Sequence, residues 1–326
     1  MARIIALGET GSPGGRGYNA PVSPPSPPLP RHRARRILAR LWPSRAGSRL
    51  LGAILSWPFA PWQRFLVRRY VRLVAPELTD SDPPDPRLYP DLDALFTRPL
   101  RAGARLWPGP GRLGAPVDGI LLGHTPLAGP GTVLEVKGVR TGVAALLGPV
   151  WPDLALPPGG HVFHFYLSPR HHHRVYLPTA GRLVYRRHLP GRLLGVAPSW
   201  LVAVPDLNAR NERDVLAFET ASGILVLVLV AAFGVDDVET AFDAPGARRG
   251  RRALGPLDPA ATLAAGAEIG CFHFGSTVFV ITPPGCPRPL LPTAPRPVRA
   301  GEPFAACLPG ASGAERGEEA DGRPRT

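Results

Sequence analysis

Short hydrophobic runs separated by glycine or proline fill most of the chain after residue 114. Runs with the composition of strands lie at 119–122, 133–137, 162–167, 182–185, 216–220, 224–233, 238–242 and 277–282. The run 224–233 is continuously apolar, as in a strand buried on both faces, and is shorter than the about 20 residues of a membrane-spanning helix. The pattern predicts a β-rich domain of antiparallel or mixed sheets. It shows neither the strand-helix alternation nor the glycine-rich phosphate loop of a dinucleotide-binding fold.

A pattern with a helical period precedes this domain. One apolar stretch contains Leu50, Leu51, Ile54, Leu55 and Trp57, and a second, after Pro58 and Pro61, contains Trp62, Phe65, Leu66, Tyr70 and Leu73. Arg64, Arg68 and Arg72 recur at every fourth position on another face. These spacings predict two or three short amphipathic helices, followed by a short helix at 92–96. We therefore expect an α+β protein in which short, membrane-associated amphipathic helices precede a β-rich catalytic domain.

Composition divides the chain into four segments. Residues 1–30 end in a proline-rich stretch and are expected to form a disordered tail, because such a stretch cannot form a helix or a sheet interior. Residues 31–113 hold the amphipathic helices and a linker rich in proline and aspartate. Residues 114–305 form the β-rich domain, and residues 306–326 are expected to form a second disordered tail.

The net charge of +13 comes from arginine, since Lys137 is the only lysine. Eleven arginines lie between residues 31 and 75, without any Asp or Glu. Arginines beside tryptophans on amphipathic helices predict a segment in the membrane interface, where each basic residue near anionic lipid contributes about 1 kcal/mol. An ordinary core helix with a solvated basic face is the alternative. Nucleic acid is not expected as a partner, because no nucleic-acid-binding motif accompanies the charge.

Cysteine and histidine usage bears on location and metal binding. Cys271, Cys286 and Cys307 have no CxxC spacing, so we expect neither a disulfide framework nor a zinc site, and a reducing cytoplasmic location. Residues 1–17 lack the apolar core of a signal peptide, which argues against secretion. The histidine triplet 171–173 is not expected to converge on one metal ion, because adjacent residues of a strand point to opposite faces. No metal site is predicted.

The tetrapeptide Phe274-Gly275-Ser276-Thr277 interrupts a stretch of β-prone residues. This pattern predicts a strand that is broken or sharply turned at one peptide bond. Gly275 has no side chain, so its carbonyl is open to attack by the Ser276 hydroxyl if the backbone is strained toward it, and such strain belongs to functional sites. The alternative is a bulge with a solvent-facing Ser-Thr pair.

Three further motifs accompany this tetrapeptide: Ala115-Pro116-Val117-Asp118-Gly119, the stretch from Tyr166 to Tyr176, and Asn211-Glu212-Arg213. In this order and at these separations, the set resembles the phosphatidylserine decarboxylases, pyruvoyl-dependent membrane enzymes, over residues 35–305. The resemblance implies self-cleavage between Gly275 and Ser276 into a large chain and a small chain. The small chain would begin with a covalent pyruvoyl group made from Ser276.

The resemblance also implies partners, location and residue roles. Phosphatidylserine is the substrate, an anionic membrane surface is the partner, and the location is the cytoplasmic face of the cell membrane as a peripheral protein. Assembly into a homo-oligomer stays open. Asp118 would orient the base that activates Ser276, although an isolated Asp-Gly is typical of a capped turn. His173 would lie close to the pyruvoyl group and the substrate carboxylate and exchange protons there. Asn211-Glu212-Arg213 would support the loop geometry.

Tyr176 departs from the family pattern. Where the family has His-Arg-Val-His, this chain has His173-Arg174-Val175-Tyr176, and the second histidine is the family's base for self-processing. An unperturbed tyrosine has a pKa of about 10, against about 6.5 for histidine, so Tyr176 is a poor acceptor of the Ser276 proton at neutral pH. Three solutions stay open: Tyr176 as a partial phenolate, a substitute base among His164, His172 and His273, or strain-driven cleavage with water as the base.

Two other functions compete with the decarboxylase interpretation. The first is a non-catalytic lipid-binding homologue on the membrane surface that lost self-cleavage together with the histidine. The second is a Ser-His-Asp hydrolase that uses Ser276. The second lacks the Gly-x-Ser-x-Gly turn of such enzymes, because Phe274 stands two residues before the serine.

Overall fold

The computed structural model describes residues 44–55, 57–136, 139–154, 156–233, 238–243, 258, 260–273 and 275–308. The predicted tail 1–30 lies outside the described residues, as do Phe274 and most of the predicted tail 306–326.

The helices are short and mostly precede or flank the sheets. Within the described residues they are α1 (Ser44–Leu55), α2 (Ala60–Val74), α3 (Leu92–Phe96), α4 (Val143–Leu147), α5 (Trp151–Leu154), α6 (Pro198–Leu201) and α7 (Leu207–Arg210), with 3-10 turns at Pro86–Leu88 and Gly148–Val150. The helices α1, α2 and α3 confirm the predicted helical pattern. Helix α2 has Pro61 in its first turn, where a missing N–H costs nothing, and ends at Ala75 in a left-handed conformation. None of the helices described is long and apolar enough to span a bilayer.

The strands are numbered in chain order. They are β1 (Arg112–Gly114), β2 (Gly119–Pro126), β3 (Val133–Val136), β4 (Val139–Gly142), β5 (His161–Leu167), β6 (Arg174–Tyr176), β7 (Gly181–Leu189), β8 (Arg213–Thr220), β9 (Gly223–Ala231), β10 (Val238–Thr240), β11 (Thr262–Leu263), β12 (Glu268–Phe272), β13 (Ser276–Ile281), β14 (Arg288–Pro289), β15 (Arg296–Val298) and β16 (Pro303–Ala306). All eight predicted runs coincide with strands, and the α+β fold class is confirmed.

One large sheet organises the domain. Its eight strands follow the order β11-β7-β8-β9-β13-β5-β2-β15, and every neighbouring pair is antiparallel. Two three-stranded antiparallel sheets, β10-β12-β6 and β1-β16-β14, and the hairpin β3-β4 complete the described strands. The predicted run 224–233 is the central strand β9, whose burial on both faces explains its continuous apolar sequence.

Two apolar layers cover the two faces of the large sheet. Alternate residues of β9, such as Leu227 and Leu229, join the core shared with Val175 of β6 and Ile269 of β12. The residues between them, such as Val228, pack on the opposite face with the side chains of α4. The strand period of two therefore assigns each side chain of β9 and β13 to one layer or the other.

The chain changes sheets at the Gly-Ser pair. Strand β12 belongs to the sheet β10-β12-β6, whereas β13, which begins at Ser276, lies near the middle of the large sheet. The predicted interruption of a β-prone stretch is therefore confirmed as a passage between two packed sheets.

The expectation that the cysteines form no disulfide is wrong. Cys286 and Cys307 form a disulfide bond, and Cys271 remains a buried thiol. The pairing of β14 with β16 brings residues 21 positions apart together, which a rule based on CxxC spacing does not detect.

Candidate active site

Ser276 opens the central strand β13 and is fully buried. Its Cα partners are Leu167 of β5 on one side and Ala231 of β9 on the other. Because Val278 and Val280, at alternate positions, lie in the layer between the sheets, Ser276 faces that layer too. Its hydroxyl has no hydrogen-bond partner among the described residues. An unpaired buried hydroxyl costs about 1–3 kcal/mol, so it points to a chemical role.

Two crossing segments run side by side at this point. Residues 273–275 lead from β12 to β13, and residues 168–173 lead from β5 to β6. The Leu167–Ser276 pair marks one end of the two segments, and the Phe272 N–H donates to the His173 carbonyl at 3.0 Å at the other. Ser276 therefore lies at the Leu167 end of these segments, and His173 lies at the Phe272 end.

Gly275 has open space where a side chain would begin. A Cβ added there would meet no described heavy atom within 4 Å. Packing therefore does not require glycine at this position. Because glycine has no side chain, no Cβ stands beside the carbonyl that Ser276 would attack.

Helix α3 covers both crossing segments. The Asp93 carboxylate lies 2.8 Å from His273 Nδ1, and the Phe96 ring packs on the His173 ring with a centroid distance of 4.0 Å. Asp91 caps the helix by accepting from the Ala94 N–H, which fixes its start. One short helix thus positions a residue on each segment.

His173 has a defined tautomer. Its Nδ1 lies 2.9 Å from the His171 carbonyl, which can only accept, so Nδ1 carries the proton and Nε2 is left as an acceptor. Nε2 is buried and has no partner among the described residues. Burial and the charge of Arg98 lower the pKa of His173 well below its usual value, so the imidazole is neutral at pH 7.

Tyr176 is held by two polar neighbours. Its hydroxyl lies 2.8 Å from His172 Nε2 and 3.3 Å from Glu268, whose other carboxylate oxygen accepts from Arg174 at 2.6 Å. Burial and the Glu268 charge raise the pKa of Tyr176 well above 10. The environment therefore opposes the partial phenolate that one solution for self-cleavage requires.

Asp118 is engaged by an arginine. Its carboxylate accepts from Nε of Arg105 at 3.0 Å, from the Arg105 terminal nitrogen, and from the Ala300 N–H at 2.7 Å. The Tyr176 N–H donates to the nearby Pro116 carbonyl at 2.8 Å. The described hydrogen bonds do not join the carboxylate to Tyr176 or to a histidine, and the role of Asp118 in orienting a base stays a prediction.

Comparison with known proteins decides the family. The family model described as phosphatidylserine decarboxylase matches residues 92–306. A relative named phosphatidylserine decarboxylase proenzyme, from Halorhodospira halophila, is 40% identical over 284 residues, covering 83% of this chain and 92% of the relative. Proteins of the same name from Bordetella avium and Azoarcus sp. are 36% and 35% identical, covering 81% and 84% of this chain and 92% and 91% of the relatives. The chain belongs to the phosphatidylserine decarboxylase family.

Membership of this family confirms the predicted enzyme class, a carboxy-lyase of phospholipid biosynthesis. No finding favours the non-catalytic lipid-binding homologue. The family match begins at Leu92 and so includes α3, which the sequence analysis placed in the segment 31–113, before the β-rich domain. In the structure this helix covers the segment that contains Gly275.

Two of the substitute bases considered for this family member are occupied otherwise. His164 Nε2 lies 2.7 Å from Thr277 Oγ1, on the face of the sheet opposite Ser276. The ring nitrogens of His273 contact Asp93 at 2.8 Å and Glu239 at 3.3 Å, and these hydrogen bonds raise its pKa to about 10 despite burial. His273 is therefore protonated at neutral pH.

Asn211 and Arg213 fix the neighbourhood of Ser276 from the other side. The Asn211 amide donates to the carbonyls of Leu194 and Ala231, each at 2.8 Å, and Ala231 is the strand partner of Ser276. The Arg213 guanidinium donates to four backbone carbonyls, including that of Leu146 at 2.6 Å. These contacts agree with the supporting role predicted for this motif.

A pocket of about 290 Å³ opens beside the covered segments. Its lining includes Asp82, Asp93, Thr97 and Arg174. Asp93 lines this pocket and also contacts His273, so the pocket adjoins the segment that begins at His273. Groups of both signs line this pocket.

Sequence reasoning missed several residues of this site. Glu268, Arg105 and the pair Asp93 and Glu239 contact the predicted site residues, but each lies far from its partner in sequence. Isolated carboxylates and arginines carry no local motif, so only the folded topology reveals them. Among the residues that the structure describes, no group of three His, Cys, Asp or Glu side chains is arranged to hold a metal ion.

Proposed function

We propose that the chain is a proenzyme that cleaves itself between Gly275 and Ser276 and then decarboxylates phosphatidylserine to phosphatidylethanolamine. The observation that carries the proposal is the buried, unpartnered Ser276 hydroxyl next to Gly275, where an added Cβ would meet open space. The proenzyme names of the relatives support self-processing. The large chain would comprise residues 1–275 and the small chain residues 276–326.

Cleavage uses the chain's own atoms. Ser276 Oγ attacks the Gly275 carbonyl carbon, and the bond from that carbon to the Ser276 nitrogen breaks, giving an ester. Loss of the Ser276 α-proton then expels the Gly275 carboxylate and leaves a dehydroalanine at residue 276. Addition of water and loss of ammonia convert this residue to a pyruvoyl group. The overall change consumes one water and releases one ammonia.

The residues around Ser276 fit a pyruvoyl group. Conversion of Ser276 to a pyruvoyl group would replace its unpartnered hydroxyl by a methyl group, which suits the apolar layer that residue 276 faces. When present, the group supplies an electron-accepting carbonyl for decarboxylation. His173, neutral and with an unpartnered Nε2, would hold or move the proton that replaces the lost carboxylate.

The pairing of strands supports a stable complex of the two chains after cleavage. Strand β13 of the small chain lies between β5 and β9 of the large chain. Strands β15 and β16 of the small chain pair with β2 and β1. All of these strand pairings are antiparallel, and their hydrogen bonds do not involve the peptide bond that is cut. Both chains should therefore stay together under native conditions.

The headgroup and the membrane have candidate surfaces. Arg174 and the aspartates of the 290 Å³ pocket offer opposite charges to the carboxylate, phosphate and ammonium groups of phosphatidylserine. Large apolar side chains are exposed along α1, α2 and the turn between them, at Leu50, Ile54, Trp57, Phe59, Phe65 and Leu73. We propose that this apolar surface enters the membrane interface, making the enzyme a peripheral protein of the cytoplasmic membrane face.

Substitution of the nucleophile tests this function. Ser276→Ala removes both the attacking oxygen and the precursor of the pyruvoyl group, so the purified variant should be one uncut chain that releases no carbon dioxide from phosphatidylserine vesicles. Ser222→Ala, in the turn before β9, is the matched control and should cleave and react like the wild type. Two fragments from the Ser276→Ala variant on a denaturing gel would refute the assignment.

A further inference from the structure

Because Tyr176 is a poor base, another residue must deprotonate Ser276 during self-cleavage. This inference rests on the function proposed above. The base must reach Ser276 from the layer between the sheets, and it must have an unprotonated nitrogen or oxygen at neutral pH. Neutral imidazole meets the second requirement, whereas a phenol does not.

His164 fails the first requirement. It contacts Thr277, and neighbouring residues of a strand point to opposite faces, so it lies across the sheet from Ser276. The Thr277 hydroxyl donates to the Phe165 carbonyl at 2.7 Å and therefore accepts from His164 Nε2. That nitrogen carries a proton and is no acceptor.

His273 and His172 are already engaged. The two nitrogens of His273 each face a carboxylate, so both donate. His172 Nε2 faces the Tyr176 hydroxyl at 2.8 Å. Nδ1 of His172 has no partner among the described residues, and burial followed by the charge of Arg98 lowers the pKa of this ring well below its usual value, so the test below compares His172 directly with His173.

We infer that His173 is the base that deprotonates Ser276. Its Nδ1 is committed to the His171 carbonyl, so its unpartnered Nε2 carries the lone pair. Its carbonyl accepts from the Phe272 N–H, at the start of the segment that leads from β12 to Ser276. Contact with Phe96 and the Nδ1 hydrogen bond hold the ring orientation.

His173 alone can carry out both proton transfers of the step that forms the ester. The Ser276 hydroxyl proton moves to His173 Nε2 as the oxygen bonds to the Gly275 carbonyl carbon. The imidazolium then returns the proton to the Ser276 nitrogen as the carbon–nitrogen bond breaks. The ester forms with no net change in the charge of the histidine.

The Ser276 hydroxyl and His173 Nε2 both lack a partner, so they do not hydrogen-bond each other in this structure, and a change of rotamer must bring them together for the proton transfer. A buried hydroxyl and a buried imidazole nitrogen each cost about 1–3 kcal/mol when unpaired. The other unpartnered histidine nitrogens among the described residues, apart from that of His172, belong to His124 and His161. His161 begins β5, at the end of the strand opposite Leu167 and Ser276, so neither of these can serve.

The assignment gives one histidine two tasks. His173 would act first on Ser276 and later on the substrate, and Tyr176 would be a positioning residue for His172 and Glu268. The chain would thereby tolerate tyrosine where the family has its second histidine.

Chemical rescue of self-cleavage tests the assignment. The full chain is made by cell-free translation, and the uncut fraction is followed over time on denaturing gels for the wild type, His173→Ala, His172→Ala and the matched control His161→Ala. We expect His173→Ala to cleave about 10²- to 10⁴-fold more slowly than the wild type, the range of general-base catalysis. Added 4-methylimidazole should restore its cleavage in a concentration-dependent way, whereas a purely structural defect would not respond.

The outcomes separate this inference from the proposed function. A His173→Ala chain that cleaves within about tenfold of the wild type, or that stays uncut at every imidazole concentration, would overturn the inference. So would rescuable arrest in His172→Ala with normal cleavage in His173→Ala. In each of these cases a cleaving wild type leaves the proposed function standing. A wild-type chain that never cleaves would refute the proposed function itself.

Discussion

His172 Nε2 lies 2.8 Å from the Tyr176 hydroxyl, and the two rings are nearly parallel, with an interplanar angle of 17°. The same hydroxyl faces Glu268 at 3.3 Å. A phenol between an imidazole and a carboxylate keeps its proton, because ionisation would place two negative charges side by side. The position at which the resemblance to the family implies a base is therefore occupied here by a hydrogen-bond donor.

The first prediction concerns the pH dependence of self-cleavage. With His173 as a base of depressed pKa, the rate should stay flat between pH 7 and 9, because the imidazole is already neutral. A Tyr176 phenolate would instead give a rise of about tenfold per pH unit, since its pKa lies above 10. The charged and titratable neighbours are Arg98, His171 and His172 for His173, and Arg174, Glu268, Asp118 and His172 for Tyr176. A steadily rising profile would contradict the assignment of His173.

The second prediction concerns Tyr176→His. If His173 already supplies the base, a second imidazole is redundant, and the cleavage rate should change by less than about tenfold. If the chain lacks a competent base, the variant should gain up to about 10²- to 10⁴-fold. Time courses of the uncut chain at pH 7.5 distinguish the two results. A large acceleration would show that His173 is not sufficient.

The third prediction concerns stability and His273. Its folded pKa of about 10 exceeds the unfolded value of 6.5, so its contribution to the free energy of unfolding is complete below pH 6.5 and is lost as the pH rises toward 10. Between pH 7 and 9 this loss is about 1.4 kcal/mol per pH unit. Urea unfolding of Ser276→Ala, with and without His273→Gln, measures the difference on a single uncut chain. Equal pH slopes in the two proteins would show that the two carboxylates do not hold a protonated His273.

The fourth prediction concerns the apolar surface of α1 and α2. Truncating Trp57 and Phe59 to alanine should weaken binding to anionic vesicles by about tenfold or more, because burying each ring is worth about 1.5–3 kcal/mol. Leu106→Ala removes an exposed apolar side chain away from these helices and is the control. Point variants are preferable to deleting α2, because Val67 is buried and Gln63 accepts from the Leu92 N–H of α3. Unchanged sedimentation of the double variant would exclude this surface as the anchor.

The hydrophobic periodicity predicted the strands and helices. Apolar residues recur at every second position in a half-buried strand and at every third or fourth position in an amphipathic helix. Strand β9 and helix α2 each lie within two residues of the boundaries that their patterns indicate. The break before Ser276 was also visible, since glycine and serine interrupt a β-prone stretch. What the pattern could not show is that the two halves of that stretch belong to different sheets.

The arrangement of the site depends on contacts between distant segments. Asp93 and His273 are 180 residues apart, and Asp118 and Ala300 are 182 apart. Which nitrogen of a histidine is unpartnered depends on such contacts, so the sequence left the base undecided. The Cys286–Cys307 disulfide was missed for the same reason, because strand pairing brings the two residues together.

The most direct test of the central claim is the mass of the purified wild-type protein under denaturing conditions. Self-cleavage predicts a large chain that ends at Gly275 with a free carboxylate, and a small chain, 276–326, lighter by one ammonia than simple hydrolysis would leave it. The missing ammonia identifies the pyruvoyl group made from Ser276. A single intact chain, or a small chain that begins with an unmodified serine, would contradict the account.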